Sequence, residues 1–132
     1  MAKVKLGSNA QFTSAGKGLS IVGQHCYAFS GVVEMGTGTT SALDFTTGSY
    51  YILAELSINS TAGSGNNIDL EIEINGIDIV NLEISNDYQA YPDFGRSLKF
   101  LIPPLSNVVV KGAVATAAKD YTFVLTGRVY DA

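Results

Sequence analysis

Ile68-Asp69-Leu70-Glu71-Ile72-Glu73-Ile74-Asn75-Gly76-Ile77-Asp78-Ile79-Val80-Asn81-Leu82-Glu83-Ile84 spells out two strands and the turn between them. From Ile68 to Asn75, apolar residues alternate with Asp69, Glu71, Glu73 and Asn75 with a period of two, the pattern of a strand with one buried and one wet face. Asn75-Gly76 then supplies the two residues that best tolerate the positive φ angles of a type I′ hairpin turn. A two-residue turn sets Ile74 against Ile77 and Ile72 against Ile79. Continued without interruption, that register faces Leu70 with Asn81 and turns Val80, Leu82 and Ile84 to water. One extra residue near Ile79 restores Val80, Leu82 and Ile84 to the side of Ile72, Leu70 and Ile68, so a β-bulge is predicted there.

The same punctuation runs through most of the chain. Further strands are predicted at Leu19 to Val22, His25 to Met35, Tyr50 to Asn59, Ser97 to Ile102, Val108 to Lys111 and Tyr121 to Tyr130, giving eight in all. Turn signals separate them at Gly36 to Ser41, Thr46-Thr47-Gly48, Ala62 to Asn67 and Pro103-Pro104. Ala113 to Ala118 tolerates helix but is too short to form one alone. Residues 1–18 have no sustained apolar period and read as an arm. Residues 19–132 read as one all-β antiparallel domain of about eight to ten strands in two sheets, a sandwich or barrel.

The 132 residues are enough for a single domain with a genuine core. Hydrophobic residues make up 46% and charged residues 15%; the apolar content excludes disorder, and the charge is low for a soluble chain. Ser, Thr, Asn and Gly supply polarity instead, which suits strands and turns. The net charge of −4 argues against nucleic acid as a ligand. Three of the eight basic residues, Lys3, Lys5 and Lys17, and none of the twelve acidic ones fall in 1–17, giving +3 there and −7 over the remainder. The single Cys26 allows no internal disulfide and suits a reducing compartment. The N-terminal residues lack the apolar run of a signal peptide, and no stretch approaches the roughly 18 apolar residues of a membrane span, so neither a secretory route nor a membrane is expected. Asn59-Ser60-Thr61 is accordingly read as an unmodified turn.

Two strands break the wet-face rule. Tyr50-Tyr51-Ile52-Leu53-Ala54 and Tyr121 to Leu125 are apolar or uncharged on both faces, as in strands covered on both sides. A small sandwich has one interior, so neighbouring subunits are the economical second cover. Tyr50, Tyr51, Ile52, Leu53, Tyr121, Phe123 and Leu125 are therefore the expected subunit interface.

Leu43-Asp44-Phe45-Thr46-Thr47-Gly48-Ser49-Tyr50-Tyr51-Ile52 resembles the Phe-x-x-x-x-Gly-x-Tyr-x-hydrophobic entry to a central strand in the tumour necrosis factor and complement globular-head superfamily. Glu73-Ile74-Asn75-Gly76 is similar to its Asn-Gly hairpin, and Leu125-Thr126-Gly127-Arg128-Val129-Tyr130 resembles its closing strand. The resemblance spans roughly residues 26 to 132. It implies a jelly roll that forms homotrimers through the sheet holding the strands matched by Tyr50 to Asn59 and Tyr121 to Tyr130, with the hairpin on the other sheet. The collagen-like stalk, signal peptide and disulfide of secreted animal members have no counterpart here. In overall style, a small jelly roll rich in Gly, Thr and Ser with a basic arm, the chain resembles decoration or cement proteins of tailed bacteriophages, which sit as trimers on capsid shells.

Catalytic chemistry is poorly supplied. His25 and Cys26 are adjacent, and successive strand residues point to opposite faces, so they do not make a hydrogen-bonded dyad; Cys26 reads as a buried structural residue. One His and one Cys form no metal cluster. Asp69, Glu71, Glu73, Asp78 and Glu83 line straight strands rather than a curved calcium loop, so a solvated face or a surface for basic partners is the preferred reading. Gly36-Thr37-Gly38-Thr39-Thr40 lacks the Lys-Ser/Thr ending and following helix of a phosphate loop. Asp93-Phe94-Gly95 matches the kinase triplet without its companion motifs. Ser85 to Arg96 is a long connection carrying Asp87, Tyr88, Tyr91 and Arg96, able to hold a sugar or grip a protein.

The expectation is thus a protein without enzymatic activity, cofactor or metal, made in a host cytoplasm and placed on a virion surface. Its partners would be its own copies and the major capsid protein, the latter bound through Lys3, Lys5 and Lys17. The alternative is a trimeric receptor- or carbohydrate-binding head, with Asp87, Tyr88, Tyr91 and Arg96 as contacts.

Overall fold

The computed structural model describes residues 18–60, 67–84, 96–115 and 118–131. Nine strands occur in them: β1 (Ser20–Val22), β2 (His25–Met35), β3 (Thr40–Thr46), β4 (Tyr50–Ser60), β5 (Ile68–Ile74), β6 (Ile77–Ile84), β7 (Arg96–Ile102), β8 (Asn107–Val114) and β9 (Lys119–Asp131). All pairing is antiparallel, in a five-stranded sheet ordered β1-β2-β9-β4-β7 and a four-stranded sheet ordered β3-β8-β5-β6. The pairing is nested about the β5–β6 turn: β5 meets β6, β4 meets β7, β3 meets β8 and β2 meets β9. Contacts between β4 and β9 and between β5 and β8 complete the two sheets.

The hairpin follows its sequence to the residue. Asn75 and Gly76 have φ of 55° and 81°, as a type I′ turn requires. Ile68, Leu70 and Ile72 pair with Ile84, Leu82 and Val80, while Ile74 pairs with Ile77 and Glu73 with Asp78, which leaves Ile79 as the extra residue. Burial is incomplete on this strand, where Leu82 and Ile79 stay partly exposed, because β6 is the edge of its sheet.

One strand departs from the expectation. β3 lies partly in a segment read as turn and is the ninth strand. Its register slips between Ser41 and Leu43, so Ala42 and Leu43 are buried in succession and the period-two signal is lost. β8 also runs past Lys111 to Val114, absorbing Gly112 and Ala113. Pairing with β3 on one side and β5 on the other outweighs the weak strand preference of those two residues.

The core lies between the sheets. Ile52, Leu56, Phe123 and Leu125 from one side and Leu43, Leu70, Ile72, Val108 and Val110 from the other are fully buried. One end of the sandwich is closed by a polar network. The Thr47 N–H donates to the Ser106 carbonyl at 2.8 Å, the Ser106 N–H to Thr47 Oγ1 at 2.9 Å, and the Asn107 N–H to Asn75 Oδ1 at 2.9 Å. Asn75 therefore serves both the turn and the neighbouring connection. Gly48 lies beside this network under the Tyr50 ring; a Cβ there would stand 2.7 Å from that ring and push it aside.

Candidate functional site: an apolar outer sheet face

Residues directly opposite across the five-stranded sheet share a face, so the register defines rows. One row on the outer face reads Val22, His25, Arg128, Leu53, Leu101 from β1 to β7. The next reads Tyr27, Thr126, Glu55, Lys99. Among the described residues, eleven large apolar side chains are exposed, and seven of them, Val22, Phe29, Val32, Tyr51, Leu53, Leu101 and Tyr130, lie on this one face. Seven such side chains, several half exposed or more, amount to on the order of 500 Å² of apolar surface, a size at which patches mark interaction sites.

The face is not flat. At Thr126 the central strand β9 turns a small side chain outward, flanked by Tyr27 and Phe29 on β2 and by Leu53 and Leu101 on β4 and β7. The result is a groove of about 780 Å³. The Tyr27 and Phe29 ring centres stand 4.7 Å apart along one wall, Glu55, Lys99 and Arg128 supply its charged positions, and His25 adds an imidazole. Arg128 Nη2 donates to Gln24 Oε1 at 3.0 Å, and its guanidinium lies 5.7 Å from the Tyr130 ring centre.

The residues expected at a subunit interface divide by parity. Tyr51 and Leu53 point outward into the face. Ile52, Tyr121, Phe123 and Leu125 point inward and belong to the chain's own core, and Tyr50 is half-buried with its ring over Gly48. Burial pushes the Tyr50 phenol above its usual range. Sequence reasoning missed the contributions of β1, β2 and β7. The spacing of Tyr27 and Phe29 carried part of that signal, but the β2 bulge between Phe29 and Val32, at Gly31 with φ of 69°, changes parity before Val32. At this bulge the Phe123 N–H donates to Ser30 Oγ at 2.9 Å. Lys3, Lys5, Lys17, Asp87, Tyr88 and Tyr91 lie outside the described residues; Arg96 is placed only as the first residue of β7.

His25 and Cys26 occupy opposite faces, His25 exposed and Cys26 in the core. Burial pushes the Cys26 thiol up from 9.0 to about 12, so almost no thiolate exists near neutral pH. Alkylation of the folded chain by iodoacetamide at about pH 8 is expected to proceed only through unfolding. Rapid labelling without denaturant would show instead that the core opens there. Because the folded chain holds this proton more tightly than the unfolded one, stability is complete below pH 9.0 and falls as pH rises toward about 12.

On the opposite side of the molecule, carboxylate oxygens of Glu71, Glu73 and Asp78 lie within 4.8 Å of one another. Lys111 of β8 places its ammonium 2.7 Å from Glu73 and 3.8 Å from Glu71. The hydrogen bond to Glu73 holds that ammonium protonated above the ordinary lysine range. The chain thus supplies a cation of its own to its acidic face.

Fold and face together define the class: a two-sheet antiparallel β protein whose five-stranded sheet gathers large exposed apolar side chains on its outer face. No protein-family model matches the chain, and no curated protein matches it in sequence.

Proposed function

We propose that the chain is a non-enzymatic jelly roll that assembles as a homotrimer through the outer face of its five-stranded sheet and decorates a phage capsid, reinforcing it by binding capsid subunits. The observation that carries the assembly is the gathering of seven exposed large apolar residues on that face. The jelly-roll reading is supported by the nested pairing about the β5–β6 turn, in which successive strand pairs wrap across two sheets. β4 and β9, the strands whose sequence matched those of the trimer-forming sheet, are neighbours in the sheet that carries the face, and the hairpin belongs to the other sheet. The capsid assignment rests on the resemblance in style and on the basic arm, whose Lys3, Lys5 and Lys17 would reach an acidic shell while each trimer adds many weak contacts.

Light scattering of the purified chain, followed by sedimentation with particles from the same source, tests both parts. Deletion of residues 1–17 is expected to leave a folded trimer that no longer binds shells; undiminished occupancy by the truncated protein removes the arm from the anchor. A carbohydrate- or receptor-binding head is the second reading, favoured by the groove with its Tyr27 and Phe29 ring pair beside Glu55, Lys99 and Arg128. Its mark is binding on a glycan array by a protein that does not sediment with the particles.

A further inference from the structure

We propose that self-association through this face is acid-labile and that His25 is the group that makes it so; the inference rests on the assembly reading above. His25 is the one histidine in the chain, and imidazole is the side chain whose charge changes between about pH 5 and 8. In the sheet it stands directly opposite Arg128, where side chains of a cross-strand pair meet at about 5 Å between Cβ atoms. The Arg128 guanidinium lies on this face, donating to Gln24 and stacked by Tyr130.

Among the described residues, the other neighbours of His25 bring no charge that offsets an added proton. Val22, opposite on β1, and Gln24, in the turn before it, are uncharged. Glu55 on β4 and Lys99 on β7 stand across the same groove and offset each other. Asp131 lies near Gln24 and Arg128 in a smaller hollow of about 220 Å³ at the end of β9, one negative charge against the one on Arg128. A protonated His25 is therefore the charge in excess.

While the face is open to water, that charge is solvated. Once another copy covers the face, it is desolvated beside a guanidinium, and a cyclic assembly brings the same His25 and Arg128 from every copy into one ring of interfaces. The assembled state requires the neutral imidazole, so dissociation takes up protons and falling pH drives it.

The test uses the full chain in analytical ultracentrifugation at about pH 8 and about pH 5.5, with near-ultraviolet circular dichroism to confirm that it stays folded. The expected result is assembly at the higher pH and a dissociation constant at least about tenfold weaker at the lower, the equivalent of one unit of proton affinity, partly restored by salt, which screens like charges. His25→Gln should assemble equally at both pH values, and His25→Lys should behave at the higher pH as the acidified parent does. An unchanged dissociation constant in the parent, or acid dissociation of His25→Gln, overturns the role of His25 and leaves the assembly standing. A folded monomer at every pH overturns the assembly reading itself, and this inference with it.

Discussion

Gly127→Ala is expected to lower the unfolding free energy by about 2 to 3 kcal/mol, the upper part of the range for forcing extra carbon into a packed core. Gly127 sits in the C-terminal half of β9, the middle strand of its sheet, paired with Cys26 on one side and Ala54 on the other. An added Cβ would stand 2.6 Å from Ile52 Cγ2, 2.8 Å from the Leu53 carbonyl oxygen and 3.2 Å from Cys26 Sγ. A side chain can rotate away, but the Leu53 carbonyl is fixed in the ladder between β4 and β9, so the strand itself must move. Urea titration should show a lower midpoint with an unchanged slope. Gly36→Ala serves as the control, since a Cβ there meets nothing within 4 Å, and it should stay within about 0.5 kcal/mol of the parent. Equal stability of Gly127→Ala and the parent would mean that β9 has slack the packing does not reveal.

Leu53→Glu is expected to separate the copies without unfolding them. Leu53 is 51% exposed, lies opposite Leu101 and Arg128, and lines the groove. Arg128 opposite can pair with the new carboxylate, but once another copy covers the face both charges must shed their water where Leu53 had given apolar contact, so a loss of about 2 kcal/mol or more per interface is expected, roughly thirtyfold in association. The neighbouring Ile52→Ala gives the opposite signature. Ile52 is fully buried between the sheets, and truncation there costs about 2 to 5 kcal/mol of folding free energy whatever the assembly state. The measurement is molar mass by light scattering together with far-ultraviolet circular dichroism. A Leu53→Glu chain that keeps the parental mass would remove the outer face from the interface.

The pair shows what period-two reading delivers and where it stops. Alternation states that Ile52 and Leu53 face opposite ways, but both are apolar, so the strand alone does not say which faces the core. The choice is made by Leu56, Phe123 and Leu125, which share the inward side and pack against the second sheet. For the same reason Phe123 and Leu125, read from sequence as interface, belong to the core. Where one face was acidic, as in Ile68 to Ile74, the ambiguity vanished, and both turn and bulge were legible.

What the sequence determined by itself was therefore local and chemical: strands rather than helices, the Asn75-Gly76 turn and its bulge, the separation of His25 from Cys26, and an excess of apolar residues for one small sandwich. Tertiary structure alone decided that β3 is a strand, because its bulge erases the alternation and only pairing with β8 reveals it. It alone also joined Val22, Phe29, Leu53, Leu101 and Tyr130, from five strands spread over 109 positions, into one face. Side-chain direction is a property of two neighbouring residues and can be read from the chain. Which strands lie side by side is a property of long-range pairing, and a surface exists only once those pairings are made.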